Sequence, residues 1–201
     1  MKLITNIWEE LADTYAMPKD ESEKVWKKLI QAYTHKSRYY HNLTHIEDLL
    51  GQAQTHQNHL QDRDSILLAI LFHDVVYKAS KSDNEKESAV FAQKVMQAMT
   101  ITAHKISKVY AYIMATKKHE PATDDSDLQF LLDIDLSILA STPTQYKLYT
   151  EQIRKEYSIY PDFLYRNGRR KAMESFLERP QIFYFYNEEY ENKARENIKN
   201  E

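Results

Sequence analysis

The stretch Leu67 to Tyr77, LLAILFHDVVY, constrains this chain more than any other. So dense an apolar run is read as a buried helix, yet it carries His73 and Asp74 side by side. A carboxylate beside an imidazole in apolar surroundings is costly unless a cation compensates it. A metal ion that both side chains can ligate is the natural compensation. Neighbours on a helix point about 100° apart, so the pair converges on one ion most readily near a helix end. A second stretch, DLQFLLDIDLSILA, has the same character, because Asp133 and Asp135 interrupt an otherwise greasy run.

The chain has two glycines, Gly51 and Gly168, so neither a phosphate-cradling glycine loop nor a dinucleotide fingerprint can be built from it. It has no cysteine, which removes disulfides, thiolate metal sites and cysteine nucleophiles and fits a reducing compartment. Any metal must then be held by His, Asp and Glu. With 201 residues, 42% hydrophobic and 28% charged, we expect one domain with one substantial core. The net charge of -3 argues against coating nucleic acid, while leaving room for a small anionic ligand. No run approaches the roughly 20 apolar residues of a membrane span, and MKLITNIWEE turns acidic before a signal-peptide core could form. We expect a cytoplasmic protein.

Apolar spacing is helical nearly throughout, which predicts an all-α, single-domain bundle. Ile7, Leu11 and Tyr15 mark a first helix ending before Pro18, and Ser22 is the expected cap of a second through Val25 and Leu29; together, residues 1–36 form a cover. The stripe Leu43, Ile46, Leu49, Leu50, Ala53 begins after Asn42, a candidate N-cap, with a Thr44–Glu47 capping box as the alternative. Asp62 or Asp64 opens the helix ending at His73 and Asp74, and Ser82 with Glu85 reads as a capping box for the next. A helix from about Ala103 to Lys117 and the aspartate-bearing run to residue 140 complete the core, 38–140. Residues 143–201 add a helical extension: one helix after Pro143, one stopped by Pro180, and a polar tail expected to pack through few contacts. QIFYFY reads as an aromatic seam or a dimer surface.

Four residues, His45, His73, Asp74 and one of Asp133 and Asp135, lie on three helices, which is how a bundle builds an interior metal site. This order resembles the HD superfamily of metal-dependent phosphohydrolases. Tyr40-His41-Asn42-Leu43-Thr44-His45 is similar to the tyrosine, histidine, asparagine motif of the cyclic-nucleotide phosphodiesterases within it. Across nearly the whole chain, Ser82-Asp83-Asn84-Glu85, Ala115-Thr116-Lys117 and Tyr165-Arg166-Asn167-Gly168-Arg169 resemble a small bacterial branch of predicted phosphohydrolases. The resemblance implies that His45, His73, Asp74 and Asp135 ligate metal and that His41 is the general acid.

The same resemblance implies hydrolysis of a small phosphate ester, a nucleotide or related monoester or cyclic diester, by metal-activated water. Imidazole and carboxylate together suit Mn, Fe, Co, Ni or Zn, with Mg at a second position and Asp74 able to bridge. Glu85 has two readings, the capping box or a contact through metal-bound water. His119 is either an exposed loop histidine or a contact to a second ion or substrate. Arg38, Lys78, Lys81, Lys117 and Lys118 are candidate phosphate contacts, as are Arg166 and Arg169 by resemblance. Asn42 and Asp133 are further candidates for supporting the ligands or substrate. The reading from another class is a non-catalytic sensor that keeps the metal fold, binds a nucleotide and regulates a partner.

Overall fold

A computed structural model describes residues 1–201 and contains helices and turns, with no strand. In order they are α1 (Lys2–Thr14), α2 (Lys19–Tyr33), α3 (Leu43–Thr55), α4 (Arg63–Phe72), α5 (Asn84–Met96), α6 (Ala103–Ala115), α7 (Ser126–Leu136), α8 (Pro143–Glu156), α9 (Asp162–Leu177) and α10 (Glu188–Asn200). Short 3-10 turns follow α3 at Gln57–His59 and α7 at Ser137–Ala140. The all-helical expectation holds. None of the helices is long and apolar enough to cross a membrane.

α4 is the axis of the larger part. Asp62 caps it, accepting from the Ser65 amide at 3.2 Å and the Ser65 hydroxyl at 2.7 Å. From Ser65 to Phe72 every residue is buried, at 1% exposure or less. A helix buried on all sides needs neighbours on all sides, and α3, α5, α6 and α7 supply them. Trp8 of α1 meets Phe72 edge to face, with ring centroids 6.1 Å apart, and Val25, Leu29 and Tyr33 of α2 are buried in the same cluster.

Buried apolar residues fall into two clusters where the sequence suggests one core. The larger gathers residues from Ile4 to Ile134, and the smaller runs from Leu136 to Ile198, on the end of α7, the 3-10 turn after it, α8, α9, the segment before α10, and α10. Asp135 stands between them in sequence.

Several expected boundaries move, each for a local reason. α2 begins at Lys19 with Pro18 as its N-cap, four residues ahead of the expected cap Ser22. Asp20 and Glu21 then occupy the first turn, where the helix dipole favours them. The Ser82–Glu85 capping box does not form: Asp83 is the N-cap of α5 and makes no side-chain cap bond. Asn84 instead ties this helix start to the preceding loop, accepting from the Lys78 amide and donating to the Lys78 carbonyl, both at 3.0 Å. At α3 the choice falls to Asn42, whose Oδ1 accepts from the Thr44 amide at 2.8 Å. The tail helix α10 is docked firmly, contrary to expectation, with Ala194, Asn197 and Ile198 buried. Asn197 donates to the carbonyls of Leu139 and Ser141 at 2.8 and 2.9 Å, satisfying the end of the 3-10 turn. QIFYFY packs on its own chain, with Ile182 and Phe183 buried and Phe185 edge to face with Phe130 at 4.9 Å.

Candidate metal centre

Three helix ends meet at one point. His45 lies in the first turn of α3, His73 is the C-cap of α4, and Asp135 is the next-to-last residue of α7. One ligand atom from each lies within 4.8 Å of the others, a group that could hold a metal ion. His45 Nε2 is 3.4 Å from His73 Nε2 and 3.2 Å from Asp135 Oδ1, and His73 Nε2 is 3.6 Å from the same oxygen. A metal held by bonds of about 2.1 Å separates adjacent donors by roughly 3.0 to 3.5 Å, so these spacings match the edges of a coordination polyhedron. The tautomer also suits. His73 Nδ1 is 3.0 Å from the Ile70 carbonyl, which can only accept, so Nδ1 carries a proton and Nε2, the atom an ion would take, faces the group.

Asp74 flanks this trio. Its Oδ2 is 3.3 Å from His73 Nε2 and 4.0 Å from His41 Nε2, so it stands between the donor group and His41. Burial alone would lower the His73 pKa, but the Asp74 and Asp135 carboxylates reverse that and hold it well above the ordinary histidine value. Both carboxyls, which burial would raise, are pulled below the ordinary aspartate value, chiefly by His73. A set of negative and basic groups arranged this way calls for a positive charge in its midst.

His41 is gripped from behind by a residue that sequence reasoning missed. Glu156, the last residue of α8, is buried, and its Oε2 lies 2.6 Å from His41 Nδ1. Its Oε1 accepts three amides in a row, Tyr39 and Tyr40 at 2.8 Å and His41 at 3.0 Å. Burial would raise the Glu156 pKa, but His41 and these amides lower it. Burial likewise works to lower the His41 pKa, yet Asp74 and Glu156 raise it above the ordinary value. Glu156, held ionised, accepts from Nδ1–H, which leaves Nε2 turned towards Asp74. Tyr77 lies over the other side of the ring, with centroids 4.4 Å apart.

The remaining candidates divide. His119 belongs to the site: it adopts a left-handed φ of 52°, and its Nε2 is 2.8 Å from Asp135 Oδ2, giving Asp135 a third imidazole. Arg179 donates to the carbonyls of Lys118 and His119 at 2.8 and 2.9 Å and so braces that bend. Glu85, free of the expected capping box, and Lys117 both line the cavity beside the donors, 4.0 Å apart. Arg169 lines it too, on the opposite wall.

Other candidates are taken up by the backbone. Arg38, expected to hold phosphate, donates to the Asp74 carbonyl at 2.6 Å and to those of His41 and Val75 at 3.1 Å. A cation there satisfies the open carbonyls where α4 ends and fixes the turn that carries Asp74. Asn42 caps α3 and donates to the Tyr39 carbonyl at 2.9 Å. Asp133 is fully buried and turned away, its Oδ2 accepting the amides of Tyr184, Phe185 and Tyr186 at 2.9, 2.6 and 2.9 Å. Burial nonetheless pushes its pKa up to about 6 against those donors. Lys78, Lys81, Lys118 and Arg166 are exposed and absent from the cavity wall.

The cavity itself measures about 590 Å³ and opens over His41, His73, Asp74, His119 and Asp135. Set against models of protein families, curated proteins and solved structures, the chain matches none.

Proposed function

We propose that this chain is a metal-dependent phosphohydrolase of the HD type, acting on a small phosphate ester. The observation that carries the reading is the place of His41: an imidazole whose Nδ1 lies 2.6 Å from a buried carboxylate and whose Nε2 faces a convergent donor group inside a cavity. A module that merely binds metal has no use for such an acid.

His45, His73, Asp135 and Asp74 would hold the ion. Two imidazoles and two carboxylates suit Mn, Fe, Co, Ni or Zn, and Mg would be confined to a second, more oxygen-rich position. Such an ion supplies a water of lowered pKa and neutralises charge on a phosphoryl group. The chain's own residues do the rest. His41 holds a proton at Nε2 for the leaving ester oxygen, a role worth roughly 10² to 10⁴ in rate. Glu156 keeps that ring charged and pointed. Arg38 fixes the turn bearing Asp74, and Lys117, which donates to the Ser82 carbonyl and stands 4.0 Å from Glu85, has ammonium hydrogens left for a phosphate oxygen at the cavity edge. His119 shares Asp135 and limits how that carboxylate can turn. The absence of cysteine suits work in the reducing cytoplasm.

Elemental analysis of the purified protein beside His73→Ala, prepared identically, tests the ion: near-stoichiometric transition metal is expected in the first and not in the second. A panel of phosphate esters tests the chemistry. Turnover that falls by two orders of magnitude or more in His41→Ala, with metal retained, supports the enzyme. Metal and ligand binding without turnover in the native protein would turn the reading to a sensor, and no metal after incubation with Mn, Fe, Ni and Zn salts would sink it.

A further inference from the structure

Away from the donors the cavity changes character. The wall built by α8, α9 and the turn between them contributes Tyr149, Tyr157, Tyr160 and Tyr165. Tyr40 faces Tyr149 edge on at 4.7 Å, and Tyr157 and Tyr160 lie stacked with centroids 6.2 Å apart. The single cation in this wall, Arg169, is already neutralised. Its Nε and Nη2 donate to the two carboxylate oxygens of Glu201 at 2.8 and 2.9 Å, and its Nη1 donates to the Tyr149 hydroxyl at 3.1 Å. An arginine binds phosphate through that same fork, and here the fork is occupied. This side therefore offers ring faces and hydroxyls, with no free charge.

A separate observation concerns Gly168, in the middle of α9 and on the cavity wall. Glycine inside a helix is destabilising relative to alanine and is usually explained by a close approach of some other part of the chain. Nothing approaches: a Cβ placed on Gly168 would have no atom within 4 Å. Ala172, one turn on, lines the same wall. Both positions are small and exposed, so this stretch of the wall carries no large side chain and leaves open space before it.

We propose that this space receives a flat, uncharged ring system, and that the substrate is the phosphate ester of a neutral aromatic or heteroaromatic alcohol, nucleosides among them, with no second phosphate. The proposal rests on the phosphohydrolase reading and narrows it. A flat aromatic ring gains more from stacking against tyrosine faces than the smaller apolar face of a sugar does. A second phosphate group would meet phenols and an arginine already paired.

Calorimetric titration of the full-length protein with phosphate-free probes tests the ring site without relying on turnover. Adenosine and 2-naphthol are to bind and glucose is not; adenosine alone would narrow the class to nucleobases. Gly168→Leu and Ala172→Leu, each checked for native helix content, are to weaken ring binding by roughly tenfold or more, while Gly168→Ala preserves it. Failure of both aromatic probes to bind at millimolar concentration, binding of glucose equal to adenosine, or binding unchanged in both leucine variants would overturn the proposal. Failure of the phosphohydrolase reading looks different, since ring binding would persist in a protein with no metal and no turnover. If metal-loaded protein hydrolyses glucose 6-phosphate or a nucleoside triphosphate as efficiently as a nucleoside monophosphate, the ring proposal falls and the hydrolase stands.

Discussion

α4, through His73 and Asp74 at its end, and α9 reach the same cavity and could hardly be less alike. From Ser65 to Phe72, α4 is buried without a gap, whereas along the 16 residues of α9 only Met173 is buried. α4 ends in the donors; α9 and the turn before it present Ile159, Phe163 and Leu164 to solvent at 63, 66 and 49% exposure. Helix positions packed on every side cannot shift without opening voids, which suits donors that must keep fixed spacings. A helix held along one edge can yield by small amounts at little cost, which suits a wall that closes on a ligand. The site is thus built from a stiff half and a compliant half.

The contrast is broken most forcefully by emptying the stiff half. Phe72→Ala is expected to cost about 3 to 5 kcal/mol, the range for a fully buried ring, read as a lower urea midpoint. If α4 tolerated that change as a surface helix does, the stiffness argument would fail. Next comes Glu156→Gln, which keeps an acceptor for the amides of residues 39–41 while removing the charge. We expect a loss of roughly tenfold to a hundredfold in turnover, with metal content unchanged. Its pH profile has a definite sign. Asp74 and Glu156 raise the His41 pKa, so His41 stays protonated to higher pH; without the Glu156 charge the proton leaves at lower pH, and the alkaline limb of the rate profile moves down.

A smaller effect comes from Asp62, the cap that starts α4 and the partner of Lys105 at 2.7 Å. Asp62→Ala is expected to cost about 1 kcal/mol. Burial raises the Asp62 pKa, but Lys105 and Ser65 outweigh it, so the folded value lies below the unfolded one. Its stabilising contribution is therefore present above the ordinary aspartate pKa and lost as pH falls through the lowered value. Denaturation of the variant and the native protein should converge in that acid range. On the compliant half the changes are slight. Phe163→Ser should stay within about 0.5 kcal/mol, and Gly168→Ala should stabilise by about 0.4 to 1 kcal/mol, seen as a small rise in melting temperature.

These two halves are not equally legible in the sequence. α4 can be read because a buried run with His73 and Asp74 at its end has few physical explanations. Asp133 and Asp135 pose a choice that periodicity cannot make, since residues two apart on a helix point in widely different directions and either could be the inward one. The structure gives Asp135 to the imidazoles and Asp133 to the amides of residues 184–186, a pairing across 51 residues for Tyr184 that no local pattern encodes. Glu156 escapes notice because the stripe Tyr146, Tyr149, Ile153 reads through to Tyr157 as apolar. A carboxylate three residues after Ile153 on that buried face carries the same signal that singles out Asp74. Arg38 misleads for the opposite reason: its charge suggests a ligand, while the open carbonyls it serves become visible only once α4 is known to stop there.

The orienting carboxylate sits 115 residues downstream of the imidazole it governs, and beyond every donor in the chain. The side chains that could hold an ion and the one that orients His41 are thus written in separate passages of the gene. On the proposed reading, a point change confined to α8 would weaken the second capacity and leave the first intact, so this architecture could give rise to a metal-bearing relative of much reduced activity by a single inherited substitution.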